Sequence, residues 1–295
     1  MTKLRLHAFH YLTICILCIL GVVICACDGS VHNNRIITVS IQPQKYLLEK
    51  IVGDKIDIMC LLSQGSNPEA YEPNFSHLIN LEKSDAYFRI GNIGFELAII
   101  SKAQNNNPNL KIYNNSEGIT FLVGSHGATE SDGHKHEIDP HIWSSVTNAM
   151  IIAKNMYDAV IEIDPTHKEF YTKNYNALIS DLTKLNNDIS AQLKPLQGTS
   201  FAVWHPSLSY FARDYGMKQV SLEYDGKEAS IKYMKEKIDQ ANKNNVKVFF
   251  FQKEFDGRQA EILNDQIGAK MVTINPMNYN WEEEIHATAN ALTSK

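Results

Sequence analysis

The chain has 295 residues, 44% hydrophobic and 21% charged, with 28 basic residues against 33 acidic for a formal net charge of −5. That length admits two domains or one large α/β unit, and the apolar share rules out a disordered polypeptide. An acidic balance with no basic run longer than two residues argues against a nucleic-acid partner, while a negative exterior mildly favours cations.

In chain order, Lys3 and Arg5 precede an apolar run from Tyr11 to Ala26. This is the layout of a secretory signal, and it falls short of the roughly twenty residues a spanning helix needs. Ile24-Cys25-Ala26-Cys27 resembles a lipobox, in which cleavage before Cys27 leaves that thiol to be lipidated and the chain tethered to a membrane face. A plain membrane anchor or soluble-secretion signal is the alternative. Residues 1–27 are thus read as a lipoprotein-type signal peptide, whose loss leaves 26 basic residues against 33 acidic, a net charge near −7. Cys60 is then the one internal cysteine, without a disulfide partner, and reads as a small buried hydrophobe.

Eight short β-rich runs follow. Ile36–Ile41, Asp57–Ser63, Ala86–Gly91 and Leu110–Asn114 fall in the first half, and Ser200–His205, Lys218–Glu223, Lys247–Gln252 and Lys270–Asn275 in the second. Helical patterns lie between them, at Gln44–Val52, Phe95–Gln104, Ser207–Tyr215, Glu228–Asn242 and Gln259–Ile267. Four strands alternating with helices, twice over, predict an α/β protein of two lobes, each with a four-stranded parallel sheet. Between the halves, Asp164 and Pro165 suit a helix start, and apolar residues recur at Tyr171, Tyr175, Leu178, Leu182, Leu185, Ile189 and Leu193. The pattern predicts one long rigid linking helix over 164–195, roughly 45 Å long by rise per residue, between lobes at 28–163 and 196–295. A coiled-coil partner helix is the other reading of such a stripe. A rigid linker restricts closure, so a ligand site between the lobes should be small and largely pre-formed.

Open parallel sheets deliver ligands at the carboxyl ends of their strands. The segments there carry polar groups beside prolines: Asn67-Pro68-Glu69, Asp139-Pro140-His141-Ile142-Trp143, Trp204-His205-Pro206 and Asn275-Pro276. Glu69, His141 and His205 suit zinc, and manganese with more oxygen ligands; spacing alone leaves open that each histidine merely caps or packs.

The stretches NPEAYEP, DPHIW, WHPSLSYFARDYGM, LEYDGKEAS and INP, with the linker DPTHKEFYTKNYNALISDL, resemble in order the zinc and manganese solute-binding proteins of ABC transporters. The similarity covers nearly all of residues 35–290. It implies an extracytoplasmic receptor, in the periplasm or on the cell surface, that captures zinc (manganese or iron as alternatives) and delivers it to a permease. It further implies a lipid-anchored monomer that is not an enzyme, with ligands at Glu69, His141, His205 and Asn275. Two positions depart from the family: Glu69 stands where histidine is usual, and Asn275 where manganese receptors commonly have Asp. Glu69 shifts the site toward oxygen-preferring ions, and an amide oxygen is a poor zinc ligand, so the fourth corner is open.

His126, His134 and His136 lie in the Gly/Ser/Asp-rich segment 124–137, read as a surface loop that gathers metal in an auxiliary way or is simply solvated. His77, His167 and His286 read as surface residues, and Glu254 as a lobe-interface or partner-docking residue. A metal-dependent hydrolase is the enzymatic alternative, but the sequence contains no HExxH, GxSxG or Gly-rich phosphate loop. Cell adhesion by a surface lipoprotein is the third reading.

Overall fold

All eight predicted strands form, and they sort into two parallel sheets in the computed structural model, which describes residues 35–63, 65–123, 138–223, 231–255 and 257–294. Residues 1–27 with Cys27, read above as a signal peptide, and His126, His134 and His136, read above as part of a surface loop, lie outside the described residues. The first sheet holds β1 (Arg35–Val39), β2 (Ile56–Cys60), β3 (Ala86–Arg89) and β4 (Lys111–Asn114) in the order β2-β1-β3-β4. The second holds β5 (Ser200–Val203), β6 (Lys218–Ser221), β7 (Val248–Gln252) and β8 (Lys270–Ile274) in the order β6-β5-β7-β8.

Every pairing is parallel, with Ile37 beside Ile58 in one sheet and Phe250 beside Val272 in the other. Parallel strands are covered on both faces, which is why β7 reads as an uninterrupted Val-Phe-Phe-Phe run and is buried throughout. In both sheets the second strand is added on one side of the first and the third on the other, so the winding order reverses. This creates a switch point between β1 and β3 and another between β5 and β7, where ligands of such sheets bind.

The helices are α1 (Gln42–Val52), α2 (Phe75–Glu82), α3 (Gly94–Asn106), α4 (Val146–Ile163), α5 (Lys168–Leu193), α6 (Ser209–Asp214), α7 (Ile231–Lys243), α8 (Gly257–Ile267) and α9 (Trp281–Thr293). Helices α4 and α9 were not among the sequence patterns. Ser145 caps α4, its hydroxyl accepting the Asn148 N–H.

The linking helix forms, with a correction at its start. Pro165–His167 is a 3₁₀ turn and α5 begins at Lys168. Asp164 does not cap a backbone amide; it accepts from the Tyr171 hydroxyl and binds His167 Nδ1, both at 2.7 Å. Six of the seven stripe residues are buried, Tyr175 being the half-buried one. At about 1.5 Å per residue, the 26 residues of α5 span about 39 Å. Helix α5 packs on α1 and α4 of the first half and α9 of the second, so it runs along both lobes. The main apolar core joins both sheets and this helix, through residues such as Phe88, Leu182 and Phe250, and residues 35–295 form one compact unit. A smaller core, with Val220, Phe249 and Leu263, fills the far face of the second sheet.

Candidate metal centre

Three of the four predicted ligands converge, each from a loop that follows a strand. Glu69 lies beyond β2, where the Asn67 side chain accepts its backbone N–H at 2.9 Å and shapes the turn. His141 lies beyond β4, immediately before the 3₁₀ turn Ile142–Ser144 that leads into α4. His205 follows β5 at the second switch point, its backbone N–H donating to the Gln252 side chain of β7 at 3.1 Å.

The three side chains place one donor atom each within 4.8 Å of one another. His141 Nε2 and His205 Nε2 are 3.3 Å apart. Glu69 Oε2 is 3.3 Å from His205 Nε2, and its Oε1 is 3.7 Å from His141 Nε2. A tetrahedral ion with bonds of about 2.0–2.1 Å separates its donors by about 3.3–3.4 Å, so the residues fit a zinc-sized ion at their common focus. The imidazoles are buried, whereas the Glu69 side chain keeps 28% of its surface exposed. Solvent therefore reaches the site from the carboxylate side.

Both rings are fixed from behind. His141 Nδ1 meets Asp139 Oδ1 at 2.9 Å, and the same oxygen accepts the His141 backbone N–H. His205 Nδ1 meets Glu223 Oε2 at 2.7 Å. Each lobe thus supplies a histidine and the carboxylate that holds it, leaving Nε2 to face inward, the arrangement that raises imidazole basicity toward a metal. The Trp143 ring flanks His141 at 5.1 Å and the Phe255 ring stacks on His205 at 5.4 Å. Burial alone would push Asp139 up, but its hydrogen bonds and the charge of His141 hold the carboxyl down at about 2. Burial likewise works against the His205 cation, yet hydrogen bonds to Glu223 and Glu69 lift that imidazole to about 10.

Asn275 stands apart in its bonding. Its amide oxygen accepts the Met277 N–H at 3.2 Å and its own N–H donates to Glu284 at 2.7 Å, closing the turn after β8. The next residue, Pro276, accepts the Trp143 indole N–H at 3.0 Å, which places this turn against the His141 segment.

His77 corrects its reading as a surface residue: it is buried, accepts the Asn74 N–H at 3.0 Å and bonds the Tyr71 hydroxyl. Cys60 is partly buried against the core, and burial pushes its thiol up to about 12, consistent with an inert side chain. Glu223 was not singled out from sequence. Its position at the end of a predicted strand, like that of His205, was the available signal.

A family model for the periplasmic zinc-uptake complex component A (ZnuA) matches residues 37–293. Zinc-binding lipoprotein AdcA of Streptococcus pneumoniae is 25% identical over 94% of this chain and 57% of its own length, so the chain spans little more than half of that relative. High-affinity zinc uptake system protein ZnuA of Bacillus subtilis is 27% identical over 82% of this chain and 78% of its own. Among solved structures, a crystal structure of ZnuA superposes with a TM-score of 0.80 at 34% identity, covering 88% of this chain and 98% of that one. The manganese complex of FpvC from Pseudomonas aeruginosa shares the fold, with a TM-score of 0.78 at 23% identity over 88% and 98% of the two chains.

Proposed function

The chain belongs to the zinc-uptake complex component A family, and from that premise we propose that it captures a divalent transition metal, zinc foremost, and hands it to an ABC permease. The observation that carries the reading is the convergence of Glu69, His141 and His205 from two lobes onto one zinc-sized focus. Two buried imidazoles with one accessible carboxylate form a site that suits a borderline divalent cation and is open to solvent on its carboxylate side. Asn275 is the fourth position that family resemblance suggests.

The chain acts as a receptor rather than an enzyme, a monomer outside the cytoplasm, held to a membrane through a lipid on Cys27. Manganese is the second reading, supported by the hard oxygen donor Glu69 in a site otherwise built from nitrogen. The test is calorimetric titration of metal-stripped residues 28–295 with zinc and, separately, manganese. One tight zinc site bears the proposal out, tight manganese with little zinc advantage transfers it to the second reading, and no submicromolar site for either overturns it.

A further inference from the structure

We propose that Tyr210 is a positioning residue of the metal site: its hydroxyl joins the His205 segment to the Asp139–His141 segment and sets the distance between the two imidazoles. The inference rests on the proposed metal-binding function and deepens it, because the choice of ion by size then depends on one hydrogen-bonded phenol.

Tyr210 is fully buried in the first turn of α6, in the second half of the chain. Its hydroxyl donates to the Asp139 carbonyl at 2.8 Å and accepts the Leu122 backbone N–H at 3.1 Å, both in the first half. Leu122 and Asp139 flank the antiparallel bridge between Val123 and Ile138, and the Asp139 N–H donates directly to the Leu122 carbonyl at 3.0 Å. A facing antiparallel pair of this kind exchanges two backbone bonds. Here the second of them runs through the phenol. Burial lifts the hydroxyl to about 12, which keeps it protonated and able to donate near neutrality.

The paths from this phenol to both imidazoles are short and pinned. Asp139 Oδ1 accepts the His141 N–H and meets His141 Nδ1 at 2.9 Å, so what holds the Asp139 main chain also holds that ring. Toward His205, the Gln252 side chain bonds the His205 N–H, the His205 carbonyl and the Ser207 hydroxyl. The Gln219 side chain accepts the Leu208 N–H at 2.8 Å, immediately before α6. A shift of the phenol therefore reaches the donors, whose Nε2 atoms stand 3.3 Å apart.

Two neighbours fasten α6 to the first half by other contacts. Arg213 lies over the Tyr210 ring at 5.0 Å and donates to the Thr120 carbonyl, and Asp214 accepts from Ser145 and Thr147. Of these three side chains only Tyr210 bonds a residue that itself holds a ligand. A donor separation fixed in this way suits bonds of about 2.0–2.1 Å, as zinc makes, and works against a larger ion. Without the hydroxyl the separation relaxes, so zinc loses more than cadmium, a larger ion of the same charge.

The test compares native residues 28–295 with Tyr210→Phe and Phe211→Leu by competition titration of zinc and of cadmium. The visible absorption of the cobalt-loaded forms and melting of the metal-free forms are measured alongside. Tyr210→Phe keeps the ring and removes the hydroxyl alone. It should weaken zinc about tenfold, weaken cadmium less and shift the cobalt spectrum. Phe211→Leu thins the core packing of the same helix and leaves the hydroxyl in place. It should lower melting and keep both the zinc-to-cadmium ratio and the spectrum. Native affinities and cobalt spectrum in Tyr210→Phe, whatever its melting, overturn the inference and leave the metal-binding function standing. An equal loss for both ions with an unchanged spectrum overturns it too, since the hydroxyl would then act on stability alone. A native protein that binds neither ion overturns both.

Discussion

At the scale of single residues, the site is two histidines made equivalent by their supports. Each imidazole offers Nε2 because a carboxylate of its own lobe occupies Nδ1. Removing a donor should be costly: His141→Ala and His205→Ala should each weaken zinc by about a hundredfold or more in competition titration. Removing a support should act through orientation, so Asp139→Asn should cost about tenfold to a hundredfold with the three donors intact. That variant also has a pH signature in the metal-free protein. Asp139 titrates at about 2 in the fold against an ordinary 3.8. Its stabilisation is therefore whole above about pH 4 and is lost as the pH falls through about 2. Denaturation should show native protein more stable than Asp139→Asn by on the order of 2 kcal/mol near neutrality, with the gap closing in acid. Glu69→His replaces the harder donor by a third nitrogen and should raise the zinc-to-manganese affinity ratio; an unchanged ratio removes Glu69 from the ligand set.

At the scale of elements, the donors are held in register by helices that cross between the halves. Trp143, two residues from His141, donates to Pro276 after β8, and Trp281 of α9 donates back to the Trp143 carbonyl at 2.7 Å. Tyr210 of α6 donates to the Asp139 carbonyl at 2.8 Å, and Asp214 accepts from Thr147 of α4 at 2.7 Å. Beneath them α5 lays its stripe along both halves, with Leu182 and Leu185 buried. Leu185→Ala should cost about 2–5 kcal/mol in denaturant unfolding and leave zinc affinity unaltered, because it empties packing space far from the donors in the chain. A matching loss of affinity would mean that the helix sets donor spacing.

At the scale of the whole molecule, one core joins both sheets, so the halves should unfold together. The metal-free protein should show a single transition, and saturating zinc should raise its stability by about 4 kcal/mol at a thousand times the dissociation constant. Two separated transitions would contradict the shared core. Zinc affinity should fall progressively as the pH drops below about 10, since the His205 imidazole, lifted to about 10 in the metal-free protein, coordinates only when neutral; an affinity flat between pH 9 and 6 would contradict this.

How much of this was legible beforehand differs by level. The strand–helix alternation and the stripe from Tyr171 to Leu193 specified two parallel sheets and a long linking helix, because burial imposes a period on the residues that undergo it. The prolines beside Glu69, His141 and His205 marked strand ends as the place for chemistry, and family resemblance joined those three residues across 136 positions. Their distances, and the supports Glu223 and Gln252, came only from the fold. A metal site assembled from strand ends of two sheets has no local spacing for a sequence to display. Its geometry is decided by which strands lie side by side, by the tryptophan clasp between the halves, and by which carboxylates the packing sets behind the imidazoles.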